Sequence, residues 1–117
     1  MSDYTLYHNP RCTKSRETLA LLEQAGVTPR IVEYLKTPPT AAELKAIIAK
    51  LGIEPEQLVR KGEDVYKSGY AGKKLTDAQW IDAMVAHPVL IERPIVIKGK
   101  HAVLGRPPEN VKKLLGY

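Results

Sequence analysis

Residues 4–34 read YTLYHNPRCTKSRETLALLEQAGVTPRIVEY, and this stretch decides the fold. The first five, Tyr4-Thr5-Leu6-Tyr7-His8, are dense in β-forming side chains. Asn9-Pro10 ends that run, because proline cannot donate to a sheet ladder and restricts the residue before it. From Thr13 to Ala25 the pattern turns helical, with Thr18, Leu19, Leu22 and Ala25 on one face and Gly26 where a C-terminal cap belongs. Arg30-Ile31-Val32-Glu33-Tyr34 is a second β-rich run. Strand, helix and strand in this order form a crossover unit, which predicts that the two strands lie parallel.

Outward from this unit the chain turns helical, then returns to strands. Thr40 followed by Glu43 is a capping box, and it opens a helix that turns Leu44, Ile47, Ile48 and Leu51 inward and stops at Gly52. Pro55 to Arg60 reads as a short helix and Asp64 to Tyr70 as a further turn. Thr76 with Gln79 repeats the box and opens a helix through Trp80, Ile81, Met84 and Val85. Pro94-Ile95-Val96-Ile97 and His101-Ala102-Val103-Leu104 are strands joined by Gly99-Lys100, a hairpin signal. Pro107-Pro108 leads into a final helix with Val111, Leu114 and Leu115 apolar. A parallel pair followed by an antiparallel hairpin makes a mixed four-stranded sheet, which needs helices on both faces to be buried. The expected fold is therefore α/β and thioredoxin-like, a single domain over 1–117 with a helical insertion at about 40–88.

A chain of 117 residues has room for one core, and 44% hydrophobic with 26% charged residues is ordinary globular composition. No apolar run approaches the ~20 residues of a membrane span. Met1-Ser2-Asp3-Tyr4 lacks the basic and apolar regions of a signal peptide, so a soluble cytoplasmic protein is expected, and a monomer. The net charge of +5 favours anionic partners. Phe is absent and no Lys/Arg block is interleaved with aromatics, so no nucleic-acid partner is expected. His8, His87 and His101 have no companion spacing for a metal.

The single cysteine, Cys12, excludes an internal disulfide or dithiol couple, so any thiol that resolves it must come from another molecule. It falls between the first strand and the first helix, where free backbone N–H groups and the helix dipole favour a thiolate. Arg11, Lys14 and Arg16 flank it, and His8 stands at the strand end. Amides of Thr13, Lys14, Ser15 and Arg16 could hold a tetrahedral oxyanion against the sulfur. Ser15 occupies the second cysteine position of a Cys-x-x-Cys pair, where its hydroxyl could bond the thiolate or cap the helix.

His8-Asn9-Pro10-x-Cys12-x-x-Ser15-Arg16 resembles the active-site segment of the glutaredoxin-coupled arsenate reductases of the ArsC type. The resemblance continues through Tyr34-Leu35-x-Thr37-Pro38-Pro39, Leu58-Val59-Arg60-Lys61, His87-Pro88, Glu92-Arg93-Pro94-Ile95-Val96 and Gly105-Arg106-Pro107, which spans nearly the whole chain. It implies a thioredoxin-like fold and arsenate reduction with glutathione as co-substrate, glutaredoxin as partner and no bound cofactor. On this likeness Cys12 matches the nucleophile, and Arg60, Arg93 and Arg106 match three oxyanion-binding arginines. His8 matches a histidine that modulates the cysteine, and Arg93-Pro94 matches the site of a cis-proline. In the characterised reductases the thiol sits among small uncharged residues, as in Ala-Cys-Gly-Thr; here the segment is Arg11-Cys12-Thr13-Lys14.

Two other functions fit the same residues. Cys12 with Ser15 resembles a monothiol oxidoreductase acting on glutathionylated proteins. The Spx regulators, which bind RNA polymerase, share the pattern but commonly carry Cys-x-x-Cys where this chain has Ser15.

Overall fold

Side chains alternate between faces of a strand. Tyr4, Leu6 and His8 are buried along one face, while Thr5 and Tyr7 between them are half-buried. The computed structural model of the chain describes residues 3–116. The alternation belongs to β1, Tyr4–Tyr7, and continues one residue past its end at His8. The first helix, α1, runs Thr13–Gln24, and β2 runs Arg30–Val32 parallel to β1, with Tyr7 opposite Val32. The predicted crossover is therefore present. The α1 face differs by one step from expectation: Ser15, Thr18 and Leu22 are buried, Leu19 is half-buried and Ala25 is exposed. Hydrophobicity alone misses Ser15, whose hydroxyl is satisfied inside.

Two further strands, β3 (Ile95–Lys98) and β4 (His101–Leu104), form an antiparallel hairpin. Gly99 at φ +59 supplies the positive φ at the first turn position that a type II′ connection needs. Strand β3 lies antiparallel to β1, giving a mixed sheet in the order β2-β1-β3-β4, the thioredoxin-like arrangement. Tyr4, Leu6, Leu22, Val96, Val111 and Leu114 form the core between the sheet and the elements packed on it. Burying a side chain of this class is worth about 1.5–3 kcal/mol.

The expected C-terminal helix is a 3-10 helix instead, Pro108–Lys113. Pro108, Val111 and Leu114 are its inward residues, and their spacing of three is the period at which 3-10 side chains align. The Asn110 amide also donates to the Leu104 and Arg106 carbonyls at 3.1 Å each, tying the segment to the end of β4.

The chain divides into two compact units: the sheet unit, which runs up to Thr37 and resumes at Arg93, and a helical unit, Pro38–Glu92. In the helical unit, α2 (Ala41–Leu51) and α4 (Asp77–Ala86) each begin with the predicted capping box, Thr40 with Glu43 and Thr76 with Gln79. Helix α2 buries Leu44, Ile47 and Ile48 and ends on Gly52 in the left-handed conformation, with Leu51 only half-buried. Between them lie a 3-10 turn, Pro55–Leu58, and α3, Asp64–Gly69. Backbone bonds from Arg60 N–H to the Leu90 carbonyl (2.7 Å) and from Glu92 N–H to the Leu58 carbonyl (2.8 Å) join the end of the 3-10 turn to the segment that follows α4. No helix among the described residues is long and apolar enough to cross a membrane.

Candidate active site

Strand pairing brings three distant pieces of sequence to one end of the sheet. Tyr7, the last residue of β1, is opposite Ile95, the first of β3, and Ile95 is opposite Leu104, the last of β4. His8 and Cys12 leave β1 at this end, Arg93 enters β3 here, and Arg106 follows β4 here. Two of the three candidate arginines are joined directly, since Arg106 Nη1 donates to the Arg93 carbonyl at 3.2 Å. Arg93 is half-buried and Arg106 exposed. Arg93-Pro94 is a cis peptide, as the sequence likeness implied, and so is Arg106-Pro107, which nothing in the sequence reading singled out.

Cys12 is the N-cap of α1, with extended backbone (φ −94, ψ 123) and 8% of its surface exposed. Its N–H donates to the Asn9 carbonyl at 2.9 Å, and its carbonyl accepts from Arg16 N–H at 3.0 Å. Its side chain makes no capping bond, so the helix's first amides are not taken up by the thiol. The turn ahead of Cys12 is braced by the Asn9 side chain, whose Oδ1 accepts Arg11 N–H at 3.0 Å, an Asx turn. In the sequence Asn9 reads as a strand breaker and as a member of the segment that carries the resemblance, with no sign of this turn.

His8 and Ser15 are both buried and meet each other. His8 Nδ1 and Ser15 Oγ are 2.6 Å apart, and Asn9 N–H donates to the same hydroxyl at 3.1 Å. Neither role expected for Ser15 is the one these bonds define: the hydroxyl pins the end of β1 to the first turn of α1. The inward row of β1 (Tyr4, Leu6, His8) thus faces the inward row of α1, with Leu22 in the apolar core and Ser15 at the polar end. Burial pushes the His8 imidazole below its ordinary value of 6.5, a shift the Glu33 carboxylate opposes and the Arg16 guanidinium supports. The shift favours the neutral ring.

Arg16 is exposed and folds back over the turn, its Nη1 donating to the Pro10 carbonyl and its Nη2 to Thr13 Oγ1, both at 3.3 Å. Behind the site Gly105 packs where nothing larger fits: a Cβ there would stand 2.7 Å from Pro94 Cγ and against the Thr18 hydroxyl. This close approach ties α1, Pro94 and the residue before Arg106 together, and it was not evident from the sequence. Arg60 lies in the helical unit, 21% exposed, with its Nε 3.5 Å from Glu92 and its Nη1 3.8 Å from Glu63.

Residues 7–114 match the model of the ArsC family. The chain belongs to the ArsC family. An arsenate reductase of Escherichia coli strain K12 is 46% identical to this family member over 116 residues, covering 98% of this chain and 82% of that protein. An uncharacterised protein of the same organism, YfgD, is 48% identical over 113 residues and covers 95% of both. Among solved structures, an arsenate reductase from Vibrio cholerae superposes with a TM-score of 0.91 at 46% identity, covering 94% of this chain and 95% of that one. The ArsC-family fold, and with it the mixed sheet and the crossover carrying Cys12, is thereby shown.

Proposed function

We propose that this ArsC-family protein is a cytoplasmic thiol oxidoreductase that reduces arsenate to arsenite through an adduct on Cys12, with glutathione and glutaredoxin supplying the electrons. The observation that carries the reading is the position of the lone cysteine. It caps α1 with its side chain uncommitted, at the sheet end from which Arg93 and Arg106 also leave. The names of the relatives supply the oxyanion. The Cys12 thiolate attacks arsenic, a hydroxyl takes up a proton and leaves as water, and a sulfur–arsenic(V) bond forms. A glutathione thiolate then attacks the Cys12 sulfur. The sulfur–arsenic bond breaks with its electron pair on arsenic, arsenite departs, and the two sulfurs become a mixed disulfide. A glutaredoxin thiolate takes over the glutathione and returns Cys12 as thiolate, so two electrons pass from thiols to arsenic in each turnover.

In this reading Arg93 and Arg106 neutralise the oxyanion, since guanidinium stays charged and offers planar forks to it, and the first amides of α1 orient it. Arg60 joins them on the family motif alone. His8 acts through Ser15, fixing the first turn of α1 on which Cys12 stands. Purified protein with arsenate, glutathione, glutaredoxin, glutathione reductase and NADPH should show arsenate-dependent NADPH oxidation. Cys12→Ser should abolish it, and Arg106→Ala should raise KM for arsenate. NADPH oxidation that ignores arsenate would remove the substrate from the proposal.

A further inference from the structure

The turn between β1 and α1 delivers Cys12, and the destinations of its backbone donors show what holds it in place. From His8 to Cys12 there are four N–H groups, since Pro10 has none. His8 N–H donates to the Val32 carbonyl at 2.9 Å, extending the pairing of β1 with β2. The other three all involve one residue. Asn9 N–H donates to Ser15 Oγ at 3.1 Å, Arg11 N–H donates to Asn9 Oδ1 at 3.0 Å, and Cys12 N–H donates to the Asn9 carbonyl at 2.9 Å. Asn9 thus grips the buried Ser15 in the first turn of α1, the residue ahead of the cysteine, and the cysteine itself. Cys12 is only 8% exposed although its neighbours Arg11 and Thr13 are exposed, so a small change in the path of the chain is enough to uncover the thiol.

We infer that Asn9 is the positioning residue for Cys12, fixing the turn that brings the sulfur to the start of α1. The residue type fits that task. Serine could accept the Arg11 N–H as well but holds such a turn more weakly, and aspartate would bring a negative charge beside a sulfur that attacks as the thiolate. Asparagine gives the acceptor without the charge. The inference rests on the reading of Cys12 as the nucleophile only where turnover is concerned; the geometry is tested on the thiol alone.

Asn9→Ala deletes the Arg11 bond and leaves only the two backbone bonds of residue 9 to hold the turn. The test alkylates Cys12 of the folded protein with iodoacetamide, a neutral reagent, at the plateau of rate against pH, where the thiol is ionised in every variant. Asn9→Ala should react about fivefold faster, the factor that one hydrogen bond is worth in the ratio of open to closed turn. The faster rate should stay flat in low urea, the mark of a local opening. Asn9→Asp, which keeps the acceptor, should return it to within about twofold of wild type. With arsenate, glutathione and glutaredoxin, Asn9→Ala should lower kcat about tenfold or more with little change in KM, because the attacking atom is displaced and the anion site is not. An unchanged alkylation rate, a rate that climbs with urea as global unfolding does, or an Asn9→Asp rate equal to that of Asn9→Ala would each overturn the role of Asn9. If the wild type ignores arsenate, the substrate falls and the alkylation rates still decide Asn9. Arsenate turnover with kcat unchanged in Asn9→Ala keeps the substrate and removes the positioning.

Discussion

Ser15→Ala removes one oxygen atom and should cost more than any other single-atom deletion around Cys12. The hydroxyl is fully buried and serves two partners, His8 Nδ1 at 2.6 Å and Asn9 N–H at 3.1 Å. Each such bond contributes roughly 1 kcal/mol net, and the larger cost is what remains: a buried imidazole nitrogen with nothing to pair with, at about 1–3 kcal/mol. Alanine keeps the helix propensity and nearly the shape of serine, so little is regained. The expected loss is about 2–4 kcal/mol out of the 5–15 kcal/mol typical of a domain this size. Urea denaturation followed by circular dichroism measures it. A double-mutant cycle with His8→Ala isolates the shared bond, and its coupling should be roughly 1 kcal/mol or more. A loss below about 0.5 kcal/mol with no coupling would mean that β1 and α1 are not held together at this point, and the argument that His8 works through Ser15 would fail.

Three other perturbations follow from the same geometry. Gly105→Ala should destabilise by about 1–3 kcal/mol, because the new methyl meets Pro94 and a Thr18 hydroxyl that is already committed to the Lys14 carbonyl at 2.9 Å; an unchanged midpoint in thermal unfolding would contradict the packing. Thr40→Ala removes the side-chain bond of the α2 capping box, Glu43 N–H to Thr40 Oγ1, while the Thr40 N–H keeps its Glu43 partner, and should lower stability by about 1 kcal/mol, with Thr40→Ser restoring it in the same urea titration. His8 makes stability depend on pH. Its folded-state pKa lies below the unfolded value of 6.5, so both states are neutral above 6.5 and its contribution is complete there. As pH falls below 6.5 the unfolded chain takes up a proton that the folded one refuses, and stability drops by at most about 1.4 kcal/mol per pH unit until the folded pKa is passed. Denaturant titrations across that interval should show the slope in the wild type and its loss in His8→Gln; a parallel profile in the variant would disprove the assignment.

Most of the fold could be read because its signals are local. The boxes at Thr40 and Thr76 are spelled out in four residues each, and both are formed. The crossover from β1 to β2 and the hairpin turn at Gly99 likewise follow from short patterns. The last segment was misjudged because a proline pair and an apolar stripe suit an α-helix as well as a 3-10 helix; only the strict spacing of Pro108, Val111 and Leu114 separates them. At the site, the position of Cys12 ahead of a helix is again a local signal. The His8–Ser15 bond was not legible, since it joins the inward row of a strand to that of a helix and appears only when the two are packed. Gly105 was hidden for the same reason, its neighbours Thr18 and Pro94 being far off in sequence. A scale that counts only apolar residues passes over Ser15, the buried polar side chain at the first turn of that helix face.

The hairpin has one more consequence. Arg93 and Arg106 flank the two arms at the open end of a ribbon folded at Gly99-Lys100, so the number of residues in that fold sets where one stands against the other. The distant tip is in effect a gauge block for the spacing of the two arginines. Lengthening it by one residue would slide one arm of the ribbon past the other and shift Arg106 against Arg93 without altering either residue.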